Sequence, residues 1–397
     1  MKTEFDILIV GAGLVGLTAA IACAQSGASV AVIDRRAQDD MPDDFRASAI
    51  AASAVRMLIR LGVDFGDHAQ PIQDMMAYEG RQNSSDIGPW KIHFDEADKL
   101  GVMIENIHLR AALWEALEGL DSVKIIAPAE IISYIHEASG VEVLLAGHDA
   151  PLTAKLLIAA DGRNSHLRRA AGITVQSTQY DQRALVAVIK HSLPHDGLAL
   201  QRFMSGGPLA VLPLPNNRSQ IVWSDKAGAI STLEQLREAD FIDILADRMG
   251  DYLGELSLQT PRQSYPLGLQ VADNFTDTRL ALIGDAAHVI HPLAGQGLNL
   301  GLRDVAALAE GIRLAQKTGQ DIGIAGLLDY ETWRNGDVRA MGAATHSLNL
   351  LFGLKNPVFG HMRRVGLKAV NDMTPLKAMF MQSAAGNLGE LPDLMRI

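Results

Sequence analysis

Read from the N-terminus, the chain sets short apolar runs between stretches of helical character. Residues 6–10 are an apolar run that reads as a buried strand, and the turn Gly11-Ala12-Gly13-Leu14-Val15-Gly16 follows it. Residues 14–26 are rich in alanine, the strongest helix former, and Gly27 stands where a helix C-cap is expected. Residues 28–33 are a second apolar run that ends at Asp34. Strand, glycine turn, helix and strand make a βαβ opening. The pattern changes between residues 184 and 267. Strand-like runs at 185–191, 198–204, 209–214 and 219–224, broken by Gly and Pro, predict an antiparallel or mixed sheet. Helical pattern returns at 305–317 and from 324 to about 355, and another helix is expected to begin near Asn299.

The glycine turn carries the first chemistry. Gly11 makes the turn, Gly13 lets backbone approach a pyrophosphate, and Gly16 permits close packing of helix on strand, with Leu14 and Val15 between them. Asp34, 18 residues beyond Gly16, is placed to accept hydrogen bonds from adenosine ribose hydroxyls, and Arg35 follows it. A coincidental glycine turn would leave Asp34 unexplained. The fingerprint alone does not separate FAD from NAD. Two later stretches bear on that choice. Residues 284–304 read GDAAHVIHPLAGQGLNLGLRD: an acid, Asp285, at a strand end, then a Pro/Gly-rich loop feeding a helix. Such a helix start presents free N–H groups and a positive dipole end to an electron-rich ligand. Asp285 suits a hydroxyl-rich ligand such as a ribityl chain, whose hydroxyls donate to a carboxylate. Residues 156–160 form an apolar strand leading into Asp161-Gly162-Arg163-Asn164-Ser165. Taken alone, Asp161 reads more readily as the cap of the next helix.

Composition narrows the classes. The 397 residues leave room for two or more domains, and the net charge of −11 argues against nucleic acid as a partner. Cys23 is the single cysteine, so an intramolecular disulfide and a cysteine metal cluster are both excluded. His288 and His291 lack a carboxylate or cysteine set at ligand spacing, and no metal is expected. No apolar run reaches transmembrane length, no signal peptide is read, and no hydrolase elbow is present. Charge is uneven: residues 351–397 hold six basic and three acidic residues. That basic, apolar tail reads either as a surface for lipid or a greasy substrate, or as packing with exposed lysines.

These motifs resemble the single-component aromatic hydroxylases that use FAD. The resemblance runs from residue 6 to about 394. The stretch from Gly284 to Asp304 resembles the second flavin motif, and its HPLAGQGLNLGLRD portion resembles the branch that hydroxylates ubiquinone precursors. Asp161-Gly162 resembles the DG motif that closes the FAD site in that family, where the Asp can serve as cap and site residue together. Arg46 and Arg110 match family arginines near the flavin phosphates, which a guanidinium binds in bidentate fashion; for each, an ordinary surface arginine is the competing reading. The resemblance implies backbone contacts to the flavin from Gly284, Gly295, Gly297, Leu298 and Asn299. Gln201-Arg202-Phe203, the segment from Gly207 to Leu214 and Val222-Trp223 resemble the substrate-sheet signature of the same branch. Pro213, Pro292 and Gly295 are expected on the pocket wall, and no catalytic acid or base is assigned. Tyr330, Glu331, Arg334 and Arg339 resemble a family helix of mainly structural role, with charges expected on a solvated face and in helix pairing.

The resemblance implies an α/β fold: an FAD-binding Rossmann-like domain of glutathione-reductase type at 1–70, 100–183 and 268–345, and an inserted mixed or antiparallel substrate sheet at 71–99 and 184–267. A helical C-terminal segment at 346–397 would complete it. It implies a monooxygenase that hydroxylates a polyprenylated phenol through a flavin C4a-hydroperoxide. NADH, NADPH or a protein donor would supply electrons and O2 the oxygen atom. Partners would be the prenylated phenol and proteins of a ubiquinone-biosynthesis complex. The location would be cytoplasmic, with peripheral contact at the inner membrane left open. Two alternatives stand beside it: a hydroxylase of a small soluble aromatic or an isoprenoid reductase, and a non-catalytic flavin-binding scaffold.

Overall fold

The computed structural model describes residues 3–40, 44–79, 91–94, 100–204, 206–291, 295–353, 382, 385–387 and 389–397. Pro292 and the basic stretch 354–381 lie outside them. The strand Ile7–Val10 lies between the parallel strands Leu156–Ala159 and Val30–Ile33. Both neighbours and both faces are covered, which is why this strand reads as an unbroken apolar run. The sheet has six strands in the order Thr276–Asp277, Leu280–Leu282, Leu156–Ala159, Ile7–Val10, Val30–Ile33, Val123–Ile126. All are parallel except the first pair. The helix Leu14–Gln25 packs on this sheet, and Gly27 with φ +93° turns the chain after it. A three-stranded antiparallel sheet, Ile131–His136, Val141–Leu145 and Leu152–Ala154, adds Val141, Val143 and Leu145 to the same core.

The second sheet is mixed. Its long strands Val175–His191, Arg218–Lys226, Pro208–Leu214 and Leu198–Phe203 are antiparallel neighbours in that order. Leu198–Phe203 then pairs parallel with Asp74–Glu79, a strand supplied by a remote part of the chain. A parallel pair needs a long connection, and the sequence separation provides it. The expected domain boundary at 183/184 falls inside Val175–His191, and that at 267/268 falls inside Gln263–Ala272. One face of the sheet is covered by the helices Ala227–Gln235 and Glu238–Met249, whose Ile230, Phe241 and Leu245 pack on Leu209, Val211 and Trp223.

Two polar clamps join this sheet to the strands Ala47–Ala51 and Gly101–Glu105. The Gln220 amide donates to the Ala47 carbonyl (2.9 Å) and its oxygen accepts from the Ala47 N–H, closing a two-way bond to the strand Ala47–Ala51. Arg218 makes a bidentate pair with Glu105 at 2.8 and 3.1 Å. The helix Gln296–Lys317 runs beside Leu14–Gln25, and the helix Leu328–Gly353 follows it. Arg334 departs from the solvated face expected of it: it is fully buried and pairs with Asp304 and Asp337. Its pair with Asp304 joins this helix to Gln296–Lys317, the helix pairing expected of these charges. Farther on, the chain returns to the helix Ala52–Arg60, where Ser53 N–H donates to Ala385 O (3.2 Å), Arg56 donates to Met395 O, and Met395 is buried. No helix among the described residues is long and apolar enough to cross a membrane.

Candidate active site

A cavity of about 660 Å³ opens between the two domains. Two helix N-termini meet there. The first belongs to Leu14–Gln25, capped by Gly13 with no side-chain hydrogen bond. The second belongs to Gln296–Lys317, entered through Gly295 in the left-handed region at φ +64°. This helix starts three residues before Asn299, where the sequence placed it: the glycines at 295 and 297 read as loop, but only Gly295 has a backbone that needs glycine. Unsatisfied N–H groups and positive dipole ends therefore face one space.

The glycines divide by what a side chain would meet. At Gly16 a Cβ would stand 1.9 Å from Gly11 O, and at Gly11 it would stand 2.3 Å from Ala160 O. Both positions close the packing of helix on strand. At Gly13 and Gly297 a Cβ meets nothing within 4 Å, and both residues line the cavity. Leu14, Val15 and Leu298 also line it. Val15 does so while packing on Gly284, whose φ is +58°.

The acids take different places. Asp34 is not on the cavity wall; its carboxylate accepts from Ala12 N–H (2.7 Å) and Arg36 N–H (2.9 Å), locking the glycine turn to the second strand. Arg35 is exposed and likewise off the wall. Asp161 accepts from His166 N–H (2.7 Å) and Leu167 N–H (3.3 Å), while Ser165 caps the same helix through Arg168 N–H. The other Asp161 oxygen, Oδ1, is buried and has no partner among the described residues. Asp285 takes no hydrogen bond among the described residues and opens into the cavity. Its depth in the molecule pushes its carboxyl above the usual carboxylate range, against the pull of His288, Arg46 and Arg163.

Arg46 and Arg110 both line the cavity. Arg46 is held by a bidentate pair to Asp44 (2.7 and 2.8 Å), and Asn106 donates to the same carboxylate (2.8 Å). Asn299 does not merely start a helix. Its amide oxygen accepts from Ala51 N–H and its nitrogen donates to Ala49 O, each at 2.8 Å, tying the helix to the strand Ala47–Ala51. Below the site Asp304, fully buried, accepts from Gly284 N–H (2.9 Å), His288 Nε2 (2.6 Å) and Arg334 Nε (2.7 Å). His291 sits edge-on to Tyr180, and burial pushes its pKa down to about 4.

The far wall is the uncovered face of the second sheet. Pro208, Ala210 and Leu212 line it, whereas Pro213, expected there, has the parity of Leu209 and Val211 and points to the helix-covered side. Strand residues alternate faces, so a position read one residue off changes sides. Gly295 is on the wall as expected. The sequence reading missed Asp44, Gln220 and Tyr265. Asp44 had a signal, an acid two residues ahead of the arginine it holds; Gln220 and Tyr265 reach the site only through sheet register.

The FAD binding domain family matches residues 4–344. The ubiquinone hydroxylase UbiL of Rhodospirillum rubrum is 40% identical, covering 98% of this chain and 92% of that protein. The 3-demethoxyubiquinol 3-hydroxylase of Escherichia coli is 34% identical over 96% of this chain and 98% of its own. The ubiquinone biosynthesis monooxygenase COQ6 of Xenopus tropicalis is 32% identical, over 96% and 93%. Among solved structures, the p-nitrophenol 4-monooxygenase of Pseudomonas putida matches the fold with a TM-score of 0.77 at 20% identity, covering 98% of this chain and 99% of its own. A matched domain across most of its length, with relatives 32% to 40% identical over nearly all of it, shows that this chain belongs to the FAD-dependent ubiquinone-biosynthesis hydroxylases.

Proposed function

We propose that this monooxygenase hydroxylates the ring of a polyprenylated phenol, with a reduced nicotinamide nucleotide as electron source and O2 as the oxygen source. One observation carries the reading. A single cavity runs from two helix N-termini to an apolar sheet wall, so cofactor and aromatic ring would share one space. The residues fit FAD. Gly13 and Gly297 leave open room where a Cβ would stand, Asp285 offers an unused acceptor, and Arg46 and Arg110 supply positive charge. Bound FAD supplies the redox and oxygen-transfer chemistry. The chain's own residues bind and orient. Asp285 would accept from ribityl hydroxyls, Arg46 and Arg110 would hold the pyrophosphate, and Asp34 holds the turn that presents Gly13. The N-terminus of Gln296–Lys317 would favour negative charge on a flavin bound in the cavity. The apolar wall excludes water. A prenyl tail keeps the substrate in lipid, so the enzyme would meet it at the surface of the inner membrane.

Asp285→Ala is expected to weaken FAD binding about 10–150-fold, the loss of a charged acceptor for hydroxyl donors. The ratio of flavin absorbance to protein in the purified variant measures this, and full occupancy would refute the assignment of Asp285. The function itself is tested by the quinone profile of a strain lacking the protein. Accumulation of a prenylated phenol one ring oxygen short supports the reading; an unchanged ubiquinone pool rejects it.

A further inference from the structure

Sheet register sorts the side chains that face the substrate half of the cavity. On the three central strands, Gln201 stands opposite Ala210, Ala210 opposite Val222, and Val222 opposite Val186 of the long strand. Ala77 flanks Gln201 on its other side. This cross-strand row holds one polar side chain among apolar ones. Ser224 lies two residues beyond Val222 and so on the same face of its strand, and the row on the other side pairs Leu212 with Gln220. The polar side chains these three strands send to the cavity wall are thus Gln201, Gln220 and Ser224. Gln220 is spent on Ala47, with both ends of its amide bonded. Gln201 is 9% exposed, Ser224 is 2% exposed, and neither takes a side-chain hydrogen bond among the described residues.

The Gln201 amide and the Ser224 hydroxyl face the cavity, where water serves them until a ligand fills the space, and a purely apolar ligand would then leave them without partners. A polyprenyl chain offers nothing to an amide, while a ring carrying hydroxyl or methoxy groups does. We infer that Gln201, assisted by Ser224 from the adjacent row, is the specificity-determining residue that hydrogen-bonds the oxygen substituents of the aromatic ring and fixes which ring carbon faces the flavin. The amide presents a donor and an acceptor together, so it matches a phenol hydroxyl, which donates and accepts. Its neighbours Ala210 and Ala77 are small, which leaves the ring room to lie against the row. This inference rests on the proposed reading of the cavity as a phenol site.

The test uses the FAD-loaded enzyme and two probes, geranylphenol and its hydroxyl-free analogue geranylbenzene, with binding followed by perturbation of the flavin absorbance. Wild-type enzyme is expected to prefer the phenol. Gln201→Met, close in volume, is expected to cut that preference about tenfold, the worth of a hydrogen bond completed in a buried site. Affinity for geranylbenzene and FAD occupancy should stay within about twofold, since neither uses the amide. Ser224→Ala is the second variant, with a smaller loss of preference in the same direction. An undiminished preference in both variants overturns the role of Gln201 and Ser224 while leaving the phenol site standing. Failure of the wild-type enzyme to bind either probe overturns the phenol reading itself, and the inference with it.

Discussion

Arg334→Met is expected to lower the unfolding free energy of the apoprotein by about 3–5 kcal/mol, the cost of removing one partner from a buried ion pair. Arg334 is fully buried, and its Nε stands 2.7 Å from Asp304 Oδ1, with Asp337 on a second nitrogen. Methionine fills part of the volume but leaves Asp304 charged in the core. Asp304 also accepts from Gly284 N–H and His288, so the loss reaches the turn that presents Asp285. The pH dependence has a definite sign. Burial alone would raise the Asp304 pKa, but His288 and Arg334 overrule it and hold the carboxyl below its ordinary value. The triad's contribution is therefore complete above the unfolded-state pKa of about 3.9 and is lost as pH falls through the lower folded-state value. The gap between wild type and variant should narrow over that acid window, because protonation neutralises the orphaned carboxyl. Urea unfolding followed by tryptophan fluorescence at neutral and acid pH measures both effects. A neutral-pH loss below about 1 kcal/mol, as for a surface pair, would place Arg334 back on a solvated face.

Gly297→Val and Gly301→Val should fail in opposite ways, although both sit in the first turns of one helix. At Gly297 a Cβ meets nothing within 4 Å because the space is the cavity. The apoprotein should keep its stability within about 0.5 kcal/mol, as valine is slightly the better helix former. FAD affinity should fall about 10–100-fold, the effect of overpacking transferred to a binding site. At Gly301 a Cβ would stand 2.8 Å from Val15 Cγ2 and 3.2 Å from Gly284 Cα. That variant should lose about 1–3 kcal/mol of apoprotein stability, because the two helices and the Gly284 turn can no longer close together. Urea midpoints of the apoproteins and FAD titrations separate the two. Normal FAD affinity in a well-folded Gly297→Val would sink the close-approach argument.

Some of the site was legible because it is local. The opening strand, turn and helix, with the spacing to Asp34, are written in consecutive residues, and the glycines record what the backbone must do there. Asp34 shows the limit of such reading. The spacing marks the residue as part of the nucleotide turn, but in the folded chain its carboxylate is engaged by Ala12 and Arg36 N–H groups. The start of the helix near Asn299 was misread because Gly297 weakens helix propensity, a cost the packing of the whole helix overrides. Asn299 itself works across the fold, on a strand roughly 250 residues earlier.

By itself the sequence determined the α/β class, the nucleotide turn, the acid at the second flavin motif and the family, because each is set by short-range geometry or by residue order. Only the tertiary structure decided which side of the sheet Pro213 faces, that Asp44 holds Arg46, that Gln220 clamps its sheet to Ala47 and that Arg334 is buried. Those facts depend on strand register and on partners far apart in the chain. Period-two alternation tells that a strand has two faces, but which face meets the cavity is settled by what the rest of the chain packs against the other.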